Sequence, residues 1–312
     1  MSEAILKTIV YFDIFNTPLT KEEIYRWAWK CPAQKYIEFL QKLNELVEKN
    51  VLNQKYGYYF LPEREEIIDT RQRAIPIVEE KIMIAKRACK KIRWVPFVEA
   101  VFVCNTVAGG GVKKTSDIDV FIIIKDGRLW LSRFLTTLVL SIYGLRRNKK
   151  NIANKICLSF YTSDKNLDLS TIKVNDDDVY LIYWIDNLIP IYDPKNIRKQ
   201  IRRKNQWIKK FIPNALQNYK TLYRWRVDSS KTSSAFRYFF EKVWGGNYGN
   251  LIEKQAKEMQ KAKMKLNLMS NQNKGNLGVI ITDSMLKFHE NDRRKNFQEQ
   301  WINKYAKTYQ GN

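Results

Sequence analysis

Two aspartates separated by one residue, directly before an apolar run, constrain this chain more than any other feature. Residues 116–119 read Ser-Asp-Ile-Asp, and the valine, phenylalanine and three isoleucines that follow predict a buried strand over residues 117–124. Residues i and i+2 of a strand point to the same face, so both carboxylates should face one cleft. Mg²⁺ prefers carboxylate oxygens and substrate phosphates as ligands. The pattern predicts a metal site formed by Asp117 and Asp119.

A group of small and polar residues precedes the two aspartates. Residues 97–104 predict a strand, and Asn105 and Thr106 follow it where a helix is expected to begin. Thr106 could offer its hydroxyl and its backbone N–H to a phosphate at such a helix start. Gly109 opens a run of three glycines, whose flexible backbone could approach a triphosphate closely. This segment is therefore a candidate phosphate-binding turn.

This arrangement resembles the nucleotidyltransferases of the polymerase-beta superfamily. In that family a strand, a Gly-Ser pair at a helix start and an Asp-x-Asp strand follow one another. The resemblance rests on Thr106, on the spacing and on residues 116–119, and it covers roughly residues 97–162. It implies Mg²⁺-dependent transfer of a nucleoside monophosphate from an NTP to a hydroxyl acceptor, RNA being one candidate. It also implies a metal on Asp117 and Asp119 and nucleotide contacts from Asn105, Thr106, Gly109 and Ser116.

Two departures from the family pattern bear on catalysis. Asn105 stands where the family has glycine, and its side chain could crowd the nucleotide. The family's third carboxylate lies on a later strand, but the matching strand, residues 156–162, contains none. Asp164, in the loop after that strand, is predicted to be the catalytic base. The missing carboxylate leaves open an alternative, a catalytically degenerate fold that acts as a nucleic-acid-binding protein.

The segment before the predicted sheet has the element order of a winged helix. Residues 1–62 predict three helices and a tyrosine-rich hairpin, with Thr20 and Glu23 as a capping box for the second helix. The third helix is expected to bury a stripe that begins at Ile37 and includes Leu43. A DNA-bound regulator and a packing module are both compatible with this order. The packing module is favoured, because glutamates offset the lysines of the third helix.

The positive charge of the chain lies mainly in its last third. The formal net charge is +23, and residues 195–312 contain 26 basic and 8 acidic residues. Such a field attracts polyanions, so a nucleic-acid partner is predicted for this mostly helical C-terminal region. The start of the chain lacks the pattern of a signal peptide, and the longest apolar stretch is too short to span a bilayer. A cytoplasmic protein without a membrane partner is expected.

The prediction for the whole chain is a multi-domain α+β fold. It divides into a winged-helix-like domain over residues 1–62, a nucleotidyltransferase-like mixed sheet with helices over 63–194, and a basic helical domain over 195–312. Asp178 is expected to cap a helix over residues 179–191. His289 could contact a phosphate or make a structural hydrogen bond. The tryptophans of the C-terminal region could stack on bases or anchor a core; they are Trp207, Trp225 and Trp244.

Overall fold

The computed structural model describes residues 1–31, 35–216, 221–265, 278–289 and 291–310. Within these ranges the chain forms helices, strands and a few short 3₁₀ turns. The helices are α1 (Ser2–Asp13), α2 (Lys21–Trp27), α3 (Tyr36–Glu48), α4 (Glu66–Ile92), α5 (Asn105–Gly109), α6 (Leu129–Ile142), α7 (Val179–Asn187), α8 (Ile197–Lys204), α9 (Lys231–Val243), α10 (Asn247–Lys265) and α11 (Arg294–Gln310). The strands are β1 (Leu19–Thr20), β2 (Asn53–Lys55), β3 (Tyr58–Phe60), β4 (Val98–Val103), β5 (Ile118–Ile124), β6 (Ile156–Ser163), β7 (Ile189–Tyr192), β8 (Val279–Ile281) and β9 (Met285–Phe288).

A mixed sheet with the order β7-β4-β5-β6-β9-β8 forms the centre of the molecule. The apolar run after Asp119 becomes β5, which pairs antiparallel with β4 and parallel with β6. Every residue of β4 is buried, as its mostly apolar sequence favours. The prediction that residues 97–104, 117–124 and 156–162 join one mixed sheet is confirmed.

Two strands of this sheet were not predicted from the sequence. The helix expected over residues 179–191 ends at Asn187, and β7 follows at the sheet edge. Pro190 explains the difference, because the residue before a proline is disfavoured in the helical conformation. Strand β9 lies in the region expected to be helical, and it pairs with β6. The C-terminal region is therefore part of the central sheet rather than a separate tail.

Residues 1–62 form three helices and an antiparallel hairpin in the predicted order, with β1 added to the hairpin. The capping box is confirmed, since Thr20 accepts from the backbone of Glu23 at 3.4 Å and Glu23 accepts from the backbone of Thr20 at 2.9 Å. The predicted stripe on α3 is partly wrong. Leu43 is buried, but Ile37 is 69% exposed, and the buried face includes Phe39 instead. The apolar residues of α3 occupy more than one face of the helix, so tertiary packing decides which of them are buried.

The three predicted segments do not have separate cores. One cluster of buried side chains contains Ile9 from the first segment, Phe121 and Trp184 from the second, and Trp301 from the third. The indole of Trp301 also donates to the backbone oxygen of Lys7 at 2.8 Å. Trp207, Trp225 and Trp244 pack against the hydrophobic clusters, which supports their role as anchors. In the described ranges, no helix has both the length and the apolar character to cross a membrane.

A buried carboxylate fastens the N-terminal helices to the centre of the molecule. Asp186 on α7 has no exposed side-chain surface, and it accepts hydrogen bonds from Arg26 at 2.7 Å and Arg202 at 3.0 Å. The indole of Trp27 donates to the same carboxylate at 3.0 Å. A buried charge is tolerated only when it is paired and hydrogen-bonded, so these contacts should stabilise the junction.

We predict that Asp186→Ala lowers the free energy of unfolding by about 3–5 kcal/mol, because two arginines lose their buried partner. Chemical denaturation followed by tryptophan fluorescence and by circular dichroism measures this change. Asp177→Ala is the matched control, because Asp177 joins the same two segments through Lys30 at 2.8 Å but both side chains are largely exposed. Equal losses in the two variants would contradict the junction role of Asp186.

Candidate functional site

The two aspartates meet a cysteine of the neighbouring strand. Asp119 lies opposite Cys157 in the parallel register of β5 against β6. One ligand atom from each of Asp117, Asp119 and Cys157 lies within 4.8 Å of the other two, and all three residues are half-buried. The i, i+2 spacing therefore places both carboxylates together, as expected. The three side chains form the acidic cluster of this protein.

Asn105 orients one of these carboxylates. It begins α5 with φ of 54°, a left-handed conformation that asparagine tolerates better than most residues. The indole of Trp184 donates to the side-chain oxygen of Asn105 at 2.8 Å. The side chain of Asn105 also forms a hydrogen bond with Asp119. The asparagine at the family's glycine position therefore connects α7 to the acidic cluster. Trp184 was not identified from the sequence, since 79 residues separate it from Asn105.

The two aspartates have different electrostatic environments. Burial, and then the charge of Asp117, raise the pKa of Asp119, while hydrogen bonds from Asn105 and Cys157 oppose this shift. Asp117 instead forms an ion pair with Arg147 at 2.8 Å. The same guanidinium donates to the sulfur of Cys157 at 3.5 Å. Arg147, whose role was not predicted from the sequence, thus supplies a positive charge to the acidic cluster.

Cys157 lies opposite Asp119 on β6, the strand for which the resemblance predicts a third carboxylate. Burial, and secondarily the nearby aspartates, raise the pKa of its thiol to about 12. The thiol is therefore protonated at neutral pH and is not charged. Ser159, two residues along the same face, donates to Asp119 at 3.4 Å. In the described part of the chain, no third carboxylate joins the cluster.

Asp164 does not lie near the other two aspartates. It follows β6 at the end where Ser163 pairs with Ile124, and its carboxylate accepts from the backbone of Asp126 at 2.9 Å. Asp119 is five residues earlier on β5, which corresponds to about 17 Å along a strand. The predicted role of Asp164 as catalytic base is therefore wrong. Because β5 and β6 are parallel, the loop after β6 lies at the opposite end of the strands from Asp119.

The glycine run contacts the N-terminal segment. Gly110 has φ of 100°, and a Cβ added to it would lie 2.6 Å from the hydroxyl oxygen of Thr17. This close approach, rather than a phosphate, gives a structural reason for glycine at that position. Gly109 has open space around its Cα, and Thr106 lies beside it on a cavity wall. Thr106 and Gly109 thus remain accessible to a ligand, as their predicted role requires.

Ser116 belongs to the turn that presents Asp117. Its hydroxyl accepts from the backbone of Lys113 at 3.0 Å. Its carbonyl oxygen accepts from the ammonium group of Lys81 at 2.6 Å, and Lys81 also donates to the side chain of Asn154 at 2.8 Å. The side chain of Lys81 is buried, and burial lowers its pKa. Ser116 and Lys81 are therefore positioning residues for Asp117.

Two cavities lie on either side of a shared aromatic wall next to Asn105. Their volumes are about 150 and 160 Å³, and Tyr180, Trp184 and Phe297 line both. The rings of Tyr180 and Phe297 are stacked with their centroids 5.7 Å apart. The larger cavity includes Thr106 and the glycine run, and the smaller one includes His289. Each volume is below the roughly 300–1,000 Å³ of typical small-molecule sites, so one cavity would enclose only part of a ligand.

The smaller cavity carries polar groups from the C-terminal region. Burial lowers the pKa of His289 to about 4, so its imidazole is neutral at pH 7. Burial likewise lowers the pKa of Lys287 to about 8, and its ammonium pairs with Asp292 at 3.0 Å. His289 therefore faces the smaller cavity as a neutral hydrogen-bonding group. These residues lie on β9 and between β9 and α11. His289 was considered from the sequence, as a phosphate contact or a structural hydrogen bond, whereas Lys287 and Asp292 were not.

Comparison of the chain with protein-family models, with curated proteins and with solved structures finds no match. Membership of the nucleotidyltransferase family therefore stays a prediction that depends on the motif and its geometry. The structure itself provides an acidic cluster and a helix start at one end of a mixed sheet. Asn105, which bonds Asp119, lines both cavities, whereas the residues of the acidic cluster line neither.

We predict that Asp119→Asn stabilises the protein at neutral pH when EDTA removes divalent cations. Burial and Asp117 raise the pKa of Asp119, so the ionised side chain is unfavourable in the folded state. In the wild type this cost is absent below the ordinary pKa of aspartate and reaches its full size above the raised pKa. The advantage of Asp119→Asn should therefore disappear in acid.

Urea denaturation across a pH series measures this difference. Asp117→Asn serves for comparison, because that substitution removes the ion pair with Arg147 and should not stabilise the protein. A constant difference between Asp119→Asn and the wild type at all pH values would show that the charge of Asp119 is not the cause.

Proposed function

We propose that the acidic cluster and the neighbouring start of α5 bind a nucleoside triphosphate together with a divalent cation, and that the protein transfers the nucleoside monophosphate to a hydroxyl acceptor. The observation that carries this proposal is the convergence of Asp117 and Asp119 beside the start of α5. Two carboxylates on one strand face, next to a helix start, suit a phosphate-rich substrate. The resemblance of the motif to the polymerase-beta superfamily supports the same conclusion.

The donor set of the acidic cluster fits Mg²⁺. Asp117 and Asp119 offer hard oxygen ligands, and the protonated thiol of Cys157 leaves the remaining positions to water and phosphate oxygens. When bound, the cation would neutralise charge on the triphosphate and favour attack by the acceptor hydroxyl. Arg147 pairs with Asp117 at 2.8 Å, so a bound cation would share this carboxylate with a guanidinium.

The residues around the cluster have separate tasks in this proposal. Asn105 orients Asp119, and Lys81 fixes the turn before Asp117. The start of α5 directs partial positive charge toward phosphate, and Thr106 adds a hydroxyl donor. The stacked Tyr180 and Phe297 offer an aromatic surface to the nucleobase. Phosphoryl transfer depends mainly on such positioning and on charge stabilisation.

A second candidate is a nucleotide-binding protein that does not catalyse transfer. The specific observation in its favour is Cys157, whose thiol is protonated at neutral pH and cannot serve as an effective base. A general base typically contributes about 10²- to 10⁴-fold to a rate. The nucleic-acid-binding role belongs with this candidate, whereas the winged-helix identity of residues 1–62 stays a prediction without direct support.

We predict that Asp117→Asn and Asp119→Asn each abolish Mg²⁺-dependent NTP binding, because a neutral amide is a poor substitute for a carboxylate facing a dication. Isothermal titration with each of the four NTPs, with Mg²⁺ or with EDTA, measures the effect. Asp164→Asn is the matched control, because Asp164 lies at the opposite end of the strands from the acidic cluster. This substitution should leave NTP binding unchanged. NTP binding that survives both substitutions in the acidic cluster would contradict the proposal.

We predict that Cys157→Asp increases transfer, because it places a carboxylate opposite Asp119 where no base is present among the described residues. The assay incubates α-³²P-labelled NTPs, Mg²⁺ and total RNA with the wild type, with Cys157→Asp and with Cys157→Ser as the neutral control. A rise confined to Cys157→Asp supports a site built for transfer. NTP binding without label transfer by the wild type would favour the non-catalytic candidate.

A further inference from the structure

Positive side chains lie on two neighbouring loops next to the acidic cluster. They come from the turn before β5 and from the loop between α6 and β6. We call this set the basic rim; it comprises Lys113, Lys114, Arg146, Arg147, Lys149 and Lys150, all of which are exposed. Residues 144–155 contain five basic residues and no acidic one. The rim therefore has one sign of charge next to a site predicted to hold a phosphate-rich substrate.

Hydrogen bonds hold the two parts of the rim side by side. The backbone of Asn154 donates to Ser116 at 3.1 Å, and the backbone of Ile118 donates to Lys155 at 2.9 Å. Lys81 bonds both loops at once, through the carbonyl of Lys114 at 3.2 Å and the side chain of Asn154 at 2.8 Å. These contacts fix the rim at the same end of the sheet as Asp117 and Asp119.

The charges of the rim are largely uncompensated. Among the described residues, Arg147 is the one rim member that forms an ion pair, and its partner is Asp117 within the acidic cluster. By contrast, several cations of the C-terminal region are neutralised by nearby carboxylates. Like charges held close together repel, and a polyanion would relieve this repulsion. The net charge of the C-terminal region, which suggested the partner, does not by itself locate the binding surface.

We propose that the basic rim binds the phosphodiester backbone of a single-stranded nucleic acid. A single strand can bend to bring its terminal hydroxyl from the rim to the acidic cluster, whereas a duplex end is wider and stiffer. Arg147 connects the two, since it belongs to the rim and contacts Asp117 at 2.8 Å. Backbone recognition by lysine and arginine is independent of sequence and strongly dependent on salt. The role of the strand as acceptor rests on the proposed function, but its binding does not.

The test compares two variants with the same change in net charge. The first replaces Lys113, Lys114, Lys149 and Lys150 with glutamine. The matched control replaces four exposed lysines of the C-terminal region, Lys209, Lys210, Lys254 and Lys295, with glutamine. Fluorescence anisotropy with a labelled oligouridylate measures affinity over a range of salt concentrations, without NTP or Mg²⁺.

The rim variant is expected to bind the oligouridylate about tenfold more weakly or worse, whereas the control should be affected far less. Its plot of log affinity against log salt should be shallower by about 0.7 for each phosphate group that the protein no longer neutralises. Equal weakening in the two variants, or no binding by the wild type, would overturn the proposal. So would tighter binding of a duplex of matching length.

The two proposals fail in different ways. If NTP binding is absent but the rim variant no longer binds the oligouridylate, the nucleotidyltransferase function falls and the binding surface stands. If NTP binding depends on Asp117 and Asp119 but the rim variant binds RNA normally, the surface is wrong and the acceptor has another chemistry. Circular dichroism of both variants checks that these exposed substitutions leave the fold unchanged.

Discussion

Two buried carboxylates at the ends of helix α7 determine how the rest of the molecule is assembled. Asp178 caps the helix start and pairs with Arg294 of the C-terminal region at 2.8 Å, and Asp186 near its end pairs with Arg26 and Arg202. A buried carboxylate without a partner is costly, so α7 can be buried only when both sets of arginines are in place. Helices α2, α8 and α11 are thereby joined to one short helix.

This assembly also positions the candidate site. Trp184 lies between the two carboxylates on α7, and its indole holds the side chain of Asn105, which in turn bonds Asp119. The orientation of a carboxylate on β5 thus depends on the packing of a helix far away in the sequence. The same helix contributes Tyr180 to the wall shared by both cavities. The packing of α7 that joins the three segments therefore also positions the residues of the candidate site.

The site balances negative charge with several different positive groups. Arg147 pairs with Asp117, and Lys81 lies buried beneath the turn that leads to it, where neutral oxygens accept its hydrogen bonds. Among the described residues, Asp119 forms no such ion pair, and burial raises its pKa. The two proposals use these two features separately, the acidic cluster for a cation with its nucleotide and the basic rim for a nucleic-acid strand.

The sequence by itself determined the features that arise between close neighbours along the chain. The apolar run of β5, the shared face of Asp117 and Asp119 and the capping box at Thr20 all follow from periodicities of two or three residues. Only the tertiary structure decided which residues from distant parts of the sequence lie beside Asp117 and Asp119. Cys157 rather than Asp164 lies beside Asp119 because β6 runs parallel to β5; an antiparallel strand would have brought its other end to the cluster. Strand direction and register depend on packing summed over the whole sheet, and local sequence patterns do not contain that information.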